Sequence, residues 1–196
     1  MTHSMTHSVT RSTPTPIVRT LAPAEAAAAI PALADVLLDC VAGGASVSFM
    51  APMDRAEAVA FWEKVAAAVA RGDRRLLVAV DADGTLLGTV QLILDHPPNQ
   101  PHRADVAKLL VARAGRRRGL GEALMRAVER EAIAAAKSLL VLDTTHGGDA
   151  ERLYDRLGWT RLGIMPNHAM MPDGVWSDTT FFYRHLAPPP AWSPTG

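Results

Sequence analysis

Residues 116–125 read RRRGLGEALM: three arginines, two glycines, and the start of an apolar helical pattern. Upstream, residues 104–112 (ADVAKLLVA) are mostly apolar and suit a strand. Downstream, Leu120, Leu124, Ala127 and Val128 recur on one face of a predicted helix. Strand, basic glycine-rich loop and helix form a place where phosphate can bind, for three physical reasons. Glycine lets the backbone approach a ligand without a Cβ in the way. The first N–H groups of a helix lack internal partners, and the helix dipole favours an anion there. Arginine adds forked donors that match phosphate oxygens.

The spacing tests the alternatives. A dinucleotide fingerprint needs a third glycine where Leu124 stands, and it follows the first strand of its unit. A nucleoside-triphosphate loop needs Gly-Lys-Ser or Gly-Lys-Thr, which is absent. A solvated basic loop over a core helix also satisfies the local pattern, so the segment has to be read with its surroundings.

Working outward, residues 17–21 (IVRTL) alternate as a first strand. An alanine-rich helix is predicted from Ala24, with Ile30, Leu33, Leu37 and Val41 at helical spacing, Pro31 as a kink or early turn, and Gly43-Gly44 as the stop. After an irregular apolar loop, Asp54 is placed to cap a second helix running to Gly72. Residues 75–94 form a hairpin about Asp83-Gly84, and residues 95–103 a proline-rich loop. Beyond the basic loop and its helix, residues 138–144 (SLLVLDT) read as a buried strand that Asp143 ends. THGG is a loop, Asp149 to Leu157 a short helix closed by Gly158, and WTRLGIM and TTFFYRHL are the last strands. The order β-α-α-β-β-β-α-β-α-β-β implies an α/β (α+β) domain on one twisted, mostly antiparallel mixed sheet of about seven strands with about four helices.

Bulk properties narrow the class. The chain has 196 residues with no net formal charge, 48% hydrophobic and 20% charged. That suits one domain, placed at residues 17–187, and gives no global argument for nucleic-acid or membrane binding. No stretch approaches the roughly 20 apolar residues of a membrane span, and the start has no signal-peptide core, so a cytoplasmic location is expected. Residues 1–16, with MTHS written twice, and the proline-rich residues 188–196 are expected to be disordered, and the duplication is compatible with a second start at Met5. One cysteine, Cys40, excludes an internal disulfide and reads as a buried thiol. His96 and His102 lack metal-ligand spacing, so no metal is expected.

Arg116-x-x-Gly119-x-Gly121, preceded by KLLV and followed by LYDRLGW at residues 153–159, resembles the GCN5-related N-acetyltransferases (GNAT). The element order agrees with that family's over nearly the whole chain. GGASVSFMAPMD, RADVAKLLV, VLDTTHG and PDGVWSDTTFFYRHL further resemble the branch that includes the tabtoxin-resistance acetyltransferase. The resemblance implies acetyl-CoA as co-substrate and transfer of its acetyl group directly to a primary amine. It implies that backbone at Leu109, Leu110 and Val111 holds the pantetheine arm, and that Arg116, Arg117, Arg118, Gly119, Leu120 and Gly121 hold the pyrophosphate. Tyr154 is implied as general acid to the leaving thiolate.

Asp143 is the candidate to deprotonate or orient the amine, directly or through water. His146, Asp105, His96 and His102 are reserve bases. Phe49 and Trp176 are implied to border the acceptor pocket, with Met50, Met53, Met170 and Met171 as adaptable lining or core filler. One departure stands out: Gly147 occupies a position where the family often carries asparagine. The acceptor is expected to be a small amino-acid-like, antibiotic or toxin amine. Protein N-termini or lysines, and a non-catalytic CoA-binding module, are the alternatives. Monomer and homodimer both remain open.

Overall fold

The computed structural model describes residues 16–187. The expectations for leader and tail fall on residues 1–15 and 188–196, outside the described residues, apart from Pro16. The strands are β1 (Ile17–Thr20), β2 (Arg74–Val80), β3 (Leu86–Ile93), β4 (Arg103–Val111), β5 (Leu139–Thr145), β6 (Thr160–Met170) and β7 (Trp176–His185). The helices are α1 (Pro23–Ala28), α2 (Ile30–Ala42), α3 (Arg55–Arg71), α4 (Leu120–Ala134) and α5 (Asp149–Arg156).

Five helices replace the four expected because the alanine-rich stretch divides at Ala29. Pro31 has no N–H to continue a ladder, and its ring excludes the carbonyl four residues back. It is tolerated within the first turn of a new helix, which is where α2 begins. The expected cap at Asp54 is present: its carboxylate accepts from the Glu57 N–H at 2.7 Å. The β2–β3 hairpin turns through Gly84 at φ +86°, a conformation that favours glycine. The final hairpin is longer than the sequence pattern suggested. β6 continues past Met165 through an irregularity to Met170, and β7 begins at Trp176, so both residues lie on paired strands.

The seven strands form one sheet in the order β1-β2-β3-β4-β5-β7-β6. Only β4 and β5 run parallel. Two apolar cores cover its faces. One joins the sheet to α4 and α5 through Leu120, Leu124, Val128, Leu140, Leu142, Tyr154 and Phe182. The other joins it to α1, α2 and α3 through Leu33, Leu37, Trp62, Val65, Leu76 and Leu110. The sequence separates these faces by alternation, with successive side chains of each strand pointing to opposite sides.

The feature that positions the site is a split in the middle of this sheet. β4 and β5 pair only from Arg103↔Leu139 to Asp105↔Val141. Beyond that point β4 stays with β3 as far as Val111↔Gly88, and β5 stays with β7 as far as Thr145↔Thr179. The divergence coincides with a bulge. Between the pairs Gln91↔Ala107 and Thr89↔Leu110, two β4 residues, Lys108 and Leu109, oppose the single β3 residue Val90. Such an insertion bends and twists its strand, here with Lys108 at φ +53°.

Candidate functional site

The facing edges of β4 and β5 are left without ladder partners once the strands part. Backbone groups at Leu109, Leu110 and Val111 therefore line an open gap. Their side chains hold the strand in place: Leu110 packs under α2 and α3, while Leu109 and Val111 pack toward α4.

From Val111 the chain makes one short turn, Arg113–Gly115, and enters α4. Arg117 has φ +61° and Gly119 has φ +77°, so two left-handed residues aim the chain into the helix. Gly119 is the N-cap, and no side chain caps the first turn of α4. The N–H groups of Leu120, Gly121 and Glu122 are the ones a helix leaves without internal partners. Gly121 has a different reason for being glycine: a Cβ there would approach Leu153 Cδ2 at 3.0 Å, so its absence lets α5 pack on α4.

The three arginines are not equivalent. Arg118 forms a forked ion pair with Asp81, at 3.1 and 3.2 Å, so its side chain is committed to the β2–β3 turn and its backbone is what the loop can offer. Arg116 makes one long hydrogen bond to the Val111 carbonyl, 3.4 Å, and its charge reaches Asp39. Arg117 is exposed and makes no side-chain hydrogen bond among the described residues. The pattern RRR did not reveal the neighbouring Arg113, whose backbone N–H and Nε both donate to Asp39 and tie the loop to α2.

Tyr154 and Asp143 lie on opposite faces of the sheet, close enough for the Asp143 charge to act on the phenol. Tyr154 is buried in the α4–α5 core between Trp159 and Phe182. Burial raises its pKa, and the Asp143 charge raises it further, so the phenol stays protonated and able to donate. Asp143 does not end β5, which runs two residues further to Thr145. Because Leu140 and Leu142 face α4 and α5, alternation turns Asp143 to the other side, where it is exposed.

That other side is bounded by residues 43–54 and the β6–β7 hairpin, which are tied together. Ala51 N donates to the Pro172 carbonyl at 2.9 Å, and Ser46 Oγ to the Met170 carbonyl at 3.4 Å. Phe49 packs edge-on against Phe61, while Met50, Met170 and Trp176 are exposed at the rim. Met53 packs into the α1–α3 core, and Met171 closes the hairpin turn.

The reserve bases have structural engagements. Asp105 pairs with Arg103, at 2.8 Å in the closest contact, and the His96 ring meets the Ile93 carbonyl at 3.2 Å. His102 serves through its carbonyl, which accepts the Ser138 N–H at 2.9 Å. His146 Nδ1 lies 3.0 Å from Thr180 Oγ1 and 3.2 Å from Glu151 Oε1. Cys40 is buried with its Sγ 3.6 Å from the Val111 carbonyl, and burial pushes the thiol upward, away from nucleophilic character.

Two residues escaped the sequence pattern. Glu151, one turn before Tyr154, is a buried carboxylate that accepts from Thr180 Oγ1 at 2.8 Å, from the Gly147 N–H and from Arg161. Burial works to raise its pKa, but these donors and the Arg161 charge outweigh it, and the carboxyl ends below its usual range. Gly147, where the family often has asparagine, therefore contributes its backbone to this clamp. The other is Lys108, in the β4 bulge, whose Nζ donates to Ser48 Oγ at 2.9 Å. A single lysine inside ADVAKLLV was the available signal for it.

Among the described residues no cluster of three or more His, Cys, Asp or Glu could hold a metal ion, and no helix is long and apolar enough to cross a membrane.

The fold is similar to that of yncA from Salmonella typhimurium, solved with its cofactor acetyl-CoA: TM-score 0.73 and 22% identity over 91% of this chain and 98% of that one. It is similar to a GNAT superfamily phosphinothricin acetyltransferase from Sinorhizobium meliloti in complex with acetyl-CoA, with TM-score 0.72 and 20% identity over 92% and 94% of the two chains. An N-acetyltransferase from Staphylococcus aureus Mu50 matches with TM-score 0.72 and 19% identity over 88% and 99%. At these identities the likeness concerns the fold. Residues 34–159, more than half the sequence, also match the family model described as the acetyltransferase (GNAT) family, and the chain belongs to that family.

Proposed function

We propose that this protein transfers the acetyl group of acetyl-CoA directly to the primary amine of a small amino-acid-like acceptor. The observation that carries the reading is the split between β4 and β5 beside the uncapped start of α4, with Tyr154 and Asp143 on opposite faces of the sheet. The fit to acetyl-CoA rests on two sets of backbone groups. The edge of Leu109–Val111 left without a β5 partner suits the amide-bearing pantetheine arm, apart from the Val111 carbonyl that Arg116 and Cys40 engage, and the first-turn N–H groups of α4 suit the pyrophosphate. In this reading Arg116 and Arg117 add charge, Gly119, Leu120 and Gly121 supply N–H groups, and Arg118 acts through its backbone.

The chemistry follows from where the protons sit. The acceptor amine must be neutral to attack the thioester carbonyl. Asp143 takes its proton, directly or through water. A backbone N–H on the free edge of β4 polarises the carbonyl as negative charge develops on its oxygen. The carbon–sulfur bond breaks, and the protonated Tyr154 hydroxyl donates to the departing thiolate. The phosphinothricin acetyltransferase among the similar structures supports a small acceptor, as do the segments that resemble the tabtoxin-resistance branch.

Calorimetric titration of acetyl-CoA tests the cradle. The parent is expected to bind, and an Arg116→Ala, Gly119→Asp double variant to lose binding while keeping its melting temperature. CoA-thiol release with a panel of amines then tests transfer. Acetyl-CoA binding without amine-dependent release would make the protein a binding module, and an acetylated enzyme intermediate would exclude direct transfer.

A further inference from the structure

On the sheet face that carries Asp143, three donors lack an acid partner. Lys108 is half-buried, with its Nζ held only by the Ser48 hydroxyl and standing 5.9 Å from the centre of the Phe49 ring. Arg74, also half-buried, donates to Gln91 Oε1 at 2.6 Å and forms no ion pair among the described residues. Gln91 is fully buried, and with its oxygen taken by Arg74 its Nε2 has no acceptor.

These groups are neighbours by construction. Gln91 pairs across the strands with Ala107, the residue before Lys108. Burial depresses the pKa of Lys108, the Asp143 charge opposes that shift, and the Arg74 charge adds to it, so all three charges are felt at one place. Buried donors without acceptors are costly, and a cation out of water needs a counter-charge. Asp73 acts on Arg74 but is itself paired with Arg71, and Asp143, the acid whose charge reaches Lys108, is the one assigned to the amine.

We infer that Lys108, on the sheet face that also carries Arg74, is the anchoring site for a carboxylate on the acceptor, which makes the acceptor a free amino acid. The inference rests on the acetyl-transfer reading for its substrate and on the geometry above for its site. A carboxylate suits this cation: it brings one negative charge and oxygens that accept from the ammonium. Its ammonium end then meets Asp143 at the gap. The opposed charges of Lys108 and Asp143 thus match a zwitterion end to end. A peptide N-terminus lacks the neighbouring carboxylate, and a simple amine leaves Lys108 unpaired.

The test compares acids with matched amines. Alanine, β-alanine, γ-aminobutyrate, methionine and phenylalanine are assayed with acetyl-CoA beside the same molecules lacking the carboxyl group. At least one acid is expected to exceed its matched amine by tenfold or more in kcat/KM. Lys108→Met should bring that ratio close to one through the KM of the acid, and Lys108→Arg should restore part of it. Equal handling of acids and amines by the parent overturns the inference. So does a Lys108→Met variant, with parent-like melting temperature and acetyl-CoA affinity, whose ratio is unchanged.

A second arm needs no turnover. The chain has three lysines, Lys64, Lys108 and Lys137, so the amide signal of Lys108 in ¹⁵N-lysine protein is identified by its loss in Lys108→Met. A saturable shift of that signal with one of the amino acids, absent with its matched amine, supports the carboxylate site even where no acetylation occurs. No shift with any acid leaves ordered water as the partner of these donors and overturns it.

Discussion

The two sides of the β4–β5 gap are built from different materials. In the proposed reading, the α4–α5 side works through backbone: the edge of β4, the first N–H groups of α4, and the turn set by Gly119. The residues behind them are buried and tightly paired, with Tyr154 in the core and Glu151 clamped by Thr180, Gly147 and Arg161. On the opposite side the proposed groups are side chains from separate segments: Lys108, Asp143, Ser48 and Phe49, with Met50, Met170 and Trp176 exposed at the rim. One side suits a ligand that never changes, because backbone geometry survives most substitutions. The other side can be respecified one side chain at a time without disturbing the fold.

The largest expected effect lies at Glu151, which binds the α5 side to β6 and β7. Removing one member of a buried charged network leaves the others unpaired, at a typical loss of about 3–5 kcal/mol. Glu151→Ala should therefore lower the melting temperature by about 6–20 °C for a chain of this size. The pH dependence gives an independent check. The folded-state pKa of Glu151 lies below its unfolded value, so its contribution is complete above the unfolded carboxylate range and is lost as pH falls through the folded value. The gap in stability between parent and variant should narrow in acid. A gap of the same size at pH 7 and pH 3, measured by denaturant unfolding, would show that Glu151 acts by packing alone, and the rigid side would lose its electrostatic clamp.

Tyr154→Phe separates chemistry from packing on that same side. The ring stays between Trp159 and Phe182, and only the hydroxyl leaves. Loss of a positioned acid is expected to lower kcat by about 100-fold, toward the low end for such groups, with acetyl-CoA affinity and melting temperature little changed. Turnover within twofold of the parent would remove the phenol from the chemistry and leave Tyr154 as a core residue.

The same contrast decides what could be read from sequence. The fold was legible because its signals are local: alternation in residues 17–21, the Asp54 cap, the Asp83-Gly84 turn and the spacing of Leu120, Leu124 and Val128. The loop and helix start of the proposed cradle were legible because Arg116-x-x-Gly119-x-Gly121 lies in one stretch. Pro31 was recognised as a disturbance, but whether it kinks or divides a helix depends on the packing of both halves. Arg118 looked like a phosphate ligand until Asp81, 37 residues away, was brought beside it. Lys108, Arg74 and Gln91 come from three strands, and their unpaired state exists only after pairing sets Gln91 against Ala107. Glu151 reads as one more surface charge on a short helix until Arg161 and Thr180 close over it.

The smallest effect on stability, and the sharpest test of the contrast, is expected at Trp176. Its side chain stands at the start of β7, opposite Met170 in register, and 59% of the residue is exposed. A surface residue with so little burial contributes within about 0.5 kcal/mol. Trp176→Ala should unfold with the parent and bind acetyl-CoA as the parent does, since it stands on the β6–β7 hairpin, paired with Met170. If this rim borders the acceptor, the ranking of amines should still move, by about tenfold, the low end of what one methylene contact is worth in a hydrophobic pocket. A change in ranking with unchanged donor binding keeps the two sides separable. A parallel loss of acetyl-CoA affinity would mean that the β6–β7 hairpin also orders the donor side, and the two halves would have to be treated as one coupled site.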